Sequence, residues 1–234
     1  MSEIVVKHEL FEYIAMEPFK LINLENEEID SSRILNHWHK ELEMAYYYNG
    51  EATHYINGEK VEGKKGRLIV TNSEFIHNII PSEKPEKHVF IIIIHPEFLK
   101  ANFPEYDQYY FTNNKEQASP HIKNVINKLL EYHCKENKTK NDHLLAKSLI
   151  LKLLYYVANE GLVRRDEVDD INVLKDIERI KGIIQFIENH YTEHITQSYV
   201  AKKFYFNKAY FSRYFKKCTG ITFTEYLTKY RLLK

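Results

Sequence analysis

The chain has 234 residues, enough for one or two domains that each bury a core. With 44% hydrophobic and 28% charged residues, and 18 Tyr and 13 Phe, it lies outside the compositions of disordered and fibrous chains. A formal net charge of zero hides an asymmetry: residues 175–234 carry 12 Lys and Arg against 5 Asp and Glu, a net +7, which leaves −7 for the rest. A basic end on an acidic body is what a nucleic-acid-binding unit joined to a non-binding one produces, since phosphate neutralisation supplies most non-specific affinity. Cys134 and Cys218 have neither disulfide-framework nor zinc spacing and suit a reducing compartment. Apolar runs such as Val89–Ile94 fall far short of the roughly 20 residues a membrane span needs. The first residues, MSEIVVKHELFEY, scatter charges through any leader pattern, so the expected location is cytoplasmic, with no membrane partner.

From Leu21 to His95 short apolar alternations are cut by turn signals at Asn49-Gly50, Asn57-Gly58, Glu62-Gly63 and Lys65-Gly66, which predicts closely spaced antiparallel strands. Around Met44–Tyr48 both faces are apolar or amphipathic, as in a strand between a packed core and a pocket. Val89–Ile94 reads as a buried strand. After Pro96 the period becomes helical. Ile122, Val125, Ile126, Leu129 and Leu130 form one stripe, and Leu144, Leu145, Leu149, Leu151, Leu153, Leu154 and Val157 form a broader one. A helix apolar nearly all round must be covered on two sides, by its own domain or by a second subunit. Gly161 ends it, and the charged stretch 162–174 reads as a linker. Helical spacing resumes from Asp176 through Ile177, Ile180, Ile183, Ile184 and Ile187.

Residues 37–50, HWHKELEMAYYYNG, are followed by Gly66 and His77. Alternate strand residues face one side, so His37 and His39 can converge with Glu43 and His77, a set able to ligate a transition metal. Trp38, Tyr46, Tyr48 and His54 would add the aromatic walls and polar tips of a small-molecule pocket, or simply fill a barrel. The His-x-His-x3-Glu spacing, with His77 eleven residues after Gly66, resembles the two short motifs of the cupin barrel. Ser31 replaces the first motif's glycine, and Asn72 and Glu74 replace the second's proline and glycine. The expectation is therefore an effector pocket of His37, Trp38, His39, Glu43, Tyr46, Tyr48, His54 and His77, with no metal, no cofactor and no catalysis.

From Ile195 to Gly220 two short helices flank a tight connection, Tyr205-Phe206-Asn207. Thr196 can cap the first, whose apolar face is Tyr199, Val200 and Phe204, with Ala201 small enough for a close crossing. Asn207 can cap the second, with Phe211, Tyr214 and Phe215 inside and a basic face outside. Such a pair places its second helix in the major groove. Arg213 can pair bidentately with guanine, while Lys202, Lys203, Lys208, Lys216 and Lys217 suit phosphates. The run ITQSYVAKKFYFNKAYFSRYFKKCTGITFTEYLTKYRL resembles the first helix-turn-helix of the AraC/XylS family of transcription regulators, and the likeness extends back to Asp176. The resemblance implies base contacts at Ala209, Ser212 and Arg213, although Ala209 offers only a methyl. In that family two such units are joined by a helix. This sequence stops at Lys234 within what resembles the joining helix, which reads either as truncation after the first unit or as a chain that works with half a reader.

The expected architecture is α+β: a cupin-like antiparallel β-barrel with a helical hairpin at about 120–160, forming a sensor and dimerisation domain over 1–160. A linker at 161–175 leads to an all-α, partial AraC-like helix-turn-helix domain at 176–234. The expected function is sequence-specific, effector-responsive transcription regulation. The expected partners are double-stranded DNA, a small-molecule or peptide effector, a second copy of the chain and RNA polymerase. Two rivals stay open. One is a metal-dependent cupin enzyme with a helical appendage; the other is a shortened interaction protein that dimerises without specific DNA binding.

Overall fold

The computed structural model describes residues 18–25, 36–82, 88–168 and 171–232; the amino-terminal stretch read for a leader, Ser31 and Lys234 lie outside them. The first half is built of strands β1 (Phe19–Glu25), β2 (Leu42–Asn49), β3 (Glu51–Ile56), β4 (Glu59–Lys64), β5 (Leu68–Thr71), β6 (His77–Pro81) and β7 (His88–Ile94). They form two antiparallel sheets, in the orders β1-β7-β2-β5 and β4-β3-β6. A cluster of Ala45, Tyr47, Ala52, Ile56, Ile69 and Val89 fills the space between them. Of the expected turns, Asn57-Gly58 and Lys65-Gly66 are present, while Gly50 is a one-residue break where the chain passes from β2 to β3 in the other sheet. Gly50, Gly58 and Gly66 all have positive φ, and Asn57 joins Gly58 in the left-handed region, as a two-residue hairpin with right-handed strand twist requires. The fourth is not a turn: Gly63 lies inside β4, where a Cβ would come within 2.4 Å of the Tyr47 ring. The glycine there marks a close approach of two strands.

After α1 (Pro96–Asn102), a 3-10 turn and β8 (Tyr109–Phe111), the expected hairpin appears as α2 (Pro120–Cys134) and α3 (Lys140–Glu160). Ser119 caps α2, and Thr139 with Asp142 forms a capping box on α3. The two helices cover the outer face of the four-stranded sheet, packing Ile122, Ile126, Leu129, Ile150 and Leu153 on Met44, Tyr46, Phe90 and Ile92. Only one side of α3 is covered within the described residues. Leu144, Leu145, Leu151 and Tyr155 stay exposed, Leu144 at 66%.

The stretch expected to be a linker is structured. Strand β9 (Leu162–Arg164) pairs with β8, and α4 (Arg165–Val168) follows. Some of the charged residues that signalled a linker are engaged in place: Arg164 holds Asp166 at 2.9 Å, and Arg165 lies over the Tyr110 ring. Helix α5 (Ile171–His190) begins five residues before the expected Asp176. Then come α6 (Gln197–Lys203), α7 (Lys208–Thr219) and α8 (Phe223–Leu232). Their core joins Ile180, Ile184 and Ile187 to Val200, Ala201, Phe211, Phe215 and Tyr226, and it includes Ile76 from the strand half. No helix among the described residues is long and apolar enough to cross a membrane.

Candidate functional site

The bridge between His37 and His77 organises the interior site. Each backbone N–H donates to the other residue's carbonyl at 3.0 Å, so the two residues sit directly opposite and their side chains share one face. Two residues on, His39 returns to that face. The ring centroids of His37 and His77 lie 4.1 Å apart, and those of His39 and His77 lie 4.9 Å apart edge-to-face. Glu43, one turn of the pleat into β2, places Oε2 3.5 Å from His39 Nε2 and 3.9 Å from His77 Nε2. Burial works to raise the Glu43 pKa, but the imidazoles of His39, His77 and His37 beside it bring it down to about 2. Burial, followed by His37, pushes the His77 pKa well below its ordinary value, so that imidazole is neutral near pH 7. The arrangement is a dry carboxylate against converging imidazoles. It can accept a cation or a ligand rich in hydrogen-bond donors.

The other predicted pocket residues divide by strand parity. On β2, Glu43 and Tyr47 point between the sheets, whereas Tyr46 and Tyr48 point to the helical hairpin. Tyr46 is part of the core under α2 and α3, and the Tyr48 hydroxyl donates to Asn127 Oδ1 at 2.8 Å while its ring stacks on His88. Neither joins the histidines, because a side-chain period of two separates odd from even positions. Trp38 is excluded in the same way. It faces out between His37 and His39, packs on the helical unit and lies under Lys181 Nζ at 5.6 Å. Tyr47, overlooked in the sequence, takes the inward place. Its hydroxyl shares a 2.5 Å hydrogen bond with His54 Nε2. Burial, then the Glu43 charge, raises the Tyr47 pKa above the ordinary phenol range, and burial pushes His54 down to about 4. Parity with Glu43 was the signal that could have singled out Tyr47.

In the helical unit, Thr196 accepts from Tyr199 N and Asn207 from Tyr210 N, so both predicted caps are in place. Between α6 and α7, Tyr205 has φ +61° and is 97% exposed. Phe211, Tyr214 and Phe215 are buried as expected, while Tyr199, assigned to the apolar face of α6, is 53% exposed. One turn of α6 has room for Val200 and Ala201 inside and leaves Tyr199 at the rim. Ala209 and Arg213 are exposed and Ser212 is half-buried on one side of α7. Lys208, Lys216 and Lys217 of α7 and Lys202 and Lys203 of α6 are all exposed, with Lys203 Nζ lying over Phe186. A helix whose open face is basic and whose far face is locked into a core can enter a major groove without unfolding.

The two halves meet where α7 ends. Asn78, fully buried on β6, donates to the Thr219 carbonyl at 2.9 Å, and Asn36 donates to that of Cys218 at 3.4 Å. These carbonyls are among those a helix leaves without internal partners, so the sheet half caps the second helix of the pair. Gly220, at φ +76°, turns the chain away beneath Tyr55, and Lys181 pairs with Glu74 at 3.2 Å. Beside this seam is a cavity of about 550 Å³ that no sequence signal marked, lined by Val61, Arg67, Phe75, Tyr110 and Phe111 with Ile177 of α5. Its size is that of a small-molecule site. Arg67 is 7% exposed and donates to the carbonyls of Glu62 and Asn113, but its Nε has no hydrogen-bond partner among the described residues.

Residues 23–154 match the family model of the AraC-like ligand binding domain. The uncharacterized HTH-type transcriptional regulator YdeC of Bacillus subtilis (strain 168) is 25% identical over 214 residues, covering 85% of this chain and 70% of the relative. Among solved structures, ToxT from Vibrio cholerae O395 aligns over 92% of this chain and 100% of its own, with a TM-score of 0.41 and 14% identity. The AraC-like transcriptional activator CuxR aligns over 94% of this chain and 78% of its own, with a TM-score of 0.40 and 10% identity.

Proposed function

Because the chain belongs to the family of the AraC-like ligand binding domain, we propose that it is an effector-responsive, sequence-specific DNA-binding regulator of transcription acting in the cytoplasm. The observation that carries this reading is the capped helix pair, with Arg213 and Ala209 exposed on α7 and five exposed lysines on the two helices. Arg213 reads a base, Ser212 and Ala209 complete the contact, and the lysines hold phosphates. Residues 1–160 act as the sensor, and the units from α5 onward as the reader.

An organic effector binds in the seam cavity, where it touches both halves and so can favour one of their relative arrangements. Arg67 Nη1 already faces Glu116 at 3.4 Å, which leaves Arg67 Nε in the cavity wall to donate to an acceptor on the ligand. A second copy of the chain covers the exposed apolar stripe of α3, Leu144, Leu145, Leu151 and Tyr155, placing two readers on one DNA. RNA polymerase is the expected downstream partner.

The test is selection of the full chain on a random DNA library at two salt concentrations, with Arg213→Ala as control. A short enriched motif that weakens or relaxes in the variant supports the reading. Salt-sensitive binding with no motif would reject sequence recognition by this chain.

A further inference from the structure

Helix α6 ends in a Schellman turn. The Phe206 N–H donates to the Ala201 carbonyl at 2.8 Å, and the Tyr205 N–H donates to that of Lys202 at 3.2 Å. This pair of bonds closes when the residue after the cap, Phe204, is left-handed, and Tyr205 has φ +61°. Glycine is the common occupant of that position, because a Cβ there crowds the following carbonyl. Tyrosine therefore costs stability that a glycine would restore.

Two other non-glycine residues among the described residues, Asn57 and Glu74, have positive φ, and each side chain gives something back. Asn57 Oδ1 accepts from Ile76 N at 2.9 Å, and Glu74 pairs with Lys181 at 3.2 Å. The Tyr205 side chain, 97% exposed, returns no such support. Its neighbours Phe204 and Phe206 turn onto the helical core, and Phe206 stacks on Tyr210 and Tyr214 with Arg179 over its ring. The backbone that presents Tyr205 to solvent is thus firmly held. A strained residue that the fold does not repay points to a contact made outside it.

Tyr205 lies two residues before Asn207, the N-cap of α7. In a helix-turn-helix the start of the second helix enters the major groove while the first crosses the backbone, so the connection lies beside the phosphates. Exposed Lys202, Lys203 and Lys208 flank the tyrosine in sequence, and its phenol O–H is a donor that a phosphate oxygen accepts.

We propose that Tyr205 is a DNA-backbone contact, its hydroxyl donating to a phosphate oxygen at the edge of the groove that α7 enters. This rests on the DNA-binding reading above. The contact sets the register of α7 on the duplex and reads no base. A phenol carries no charge, so unlike the lysines it adds affinity without adding to the salt dependence.

The test compares the whole chain with Tyr205→Gly and Tyr205→Phe, for Tm and for affinity toward the DNA motif that the wild type selects. Tyr205→Gly should raise Tm by about 2–4 °C and lower affinity about tenfold, the worth of one hydrogen bond to a charged group. Its motif preference and salt slope should not change. Tyr205→Phe keeps the ring and the strained backbone, so its Tm should hold while its affinity falls by a similar factor. Equal affinity in the wild type and either variant overturns the hydroxyl contact, and leaves the exposed tyrosine to a protein partner. A lower Tm in Tyr205→Gly shows that the side chain supports the fold, and overturns the proposal as well. If the wild type selects no motif, sequence reading fails by itself, and the same comparison on mixed-sequence DNA at low salt decides the contact, since the phosphates are unchanged. Absence of any DNA binding overturns both.

Discussion

Lowering the pH from 7 to 5 should destabilise the folded chain by about 2 kcal/mol through His54 alone. The ring is fully buried between the sheets and hydrogen-bonded to Tyr47, and burial pushes its pKa from 6.5 to about 4. Arg67 acts in the same direction, while Glu43 and Glu62 oppose it. In the unfolded chain the ring regains its ordinary value, so between these two limits the unfolded state binds more protons and stability falls with pH. The contribution is complete above pH 6.5 and is lost as the pH falls toward 4, where it amounts to about 3 kcal/mol at one decade per 1.36 kcal/mol. At pH 5 the unfolded ring is mostly charged and the folded ring mostly neutral, which gives the smaller figure. Chemical denaturation of the wild type and His54→Gln at both pH values isolates the effect, since losses from other groups largely cancel in the difference. The wild type should lose about 2 kcal/mol more than the variant. Equal losses would show that His54 does not stay neutral in the folded chain.

Gly63→Ala places a methyl against the Tyr47 ring and should cost about 1–3 kcal/mol in thermal denaturation; an unchanged Tm would mean that Tyr47 can leave its place between the sheets. Asn207→Ala removes the acceptor for Tyr210 N and should cost about 1 kcal/mol, with loss of DNA binding tracking loss of helicity rather than preceding it. Lys202→Ala should lower the magnitude of the salt slope of DNA binding by about one while leaving motif preference intact; a change of motif would reassign it to base reading. Leu145→Lys, on the exposed stripe of α3, should weaken self-association in sedimentation without lowering Tm, and an unaltered dimer would place the subunit contact elsewhere.

Long periodic segments were legible because one face dominates. The stripes of α2 and α7, and the caps Thr196 and Asn207, could be read directly. The strand region was legible as alternation and turns, and the two faces of β2 do meet a helical core on one side and the space between the sheets on the other. What alternation could not assign was direction. In Met44–Tyr48 both parities are apolar or aromatic, so Tyr46 and Tyr48 were grouped with Glu43 although a strand keeps them apart. Trp38 failed for the same reason, its parity being that of Asn36 rather than of His37. Glu62-Gly63 imitated a turn because a glycine demanded by a crossing tyrosine looks like one demanded by φ. The charged stretch after Gly161 hid a strand because its pairing partner, Tyr109–Phe111, lies some fifty residues away, beyond any local signal. The seam cavity is assembled from segments equally distant in sequence and had no local signature at all.

The capping of α7 by Asn36 and Asn78, with Ile76 seated in the helical core, makes the boundary between the halves a jointly owned structure. A carboxy-terminal fragment cut free of the sheets would expose the Cys218 and Thr219 carbonyls to water and open a notch where Ile76 sits. Its reading helix would fray from the end that the sheets now hold. In calorimetry the two halves of the intact chain should then melt as one cooperative body, with the calorimetric and van't Hoff enthalpies in agreement, instead of as two independent modules.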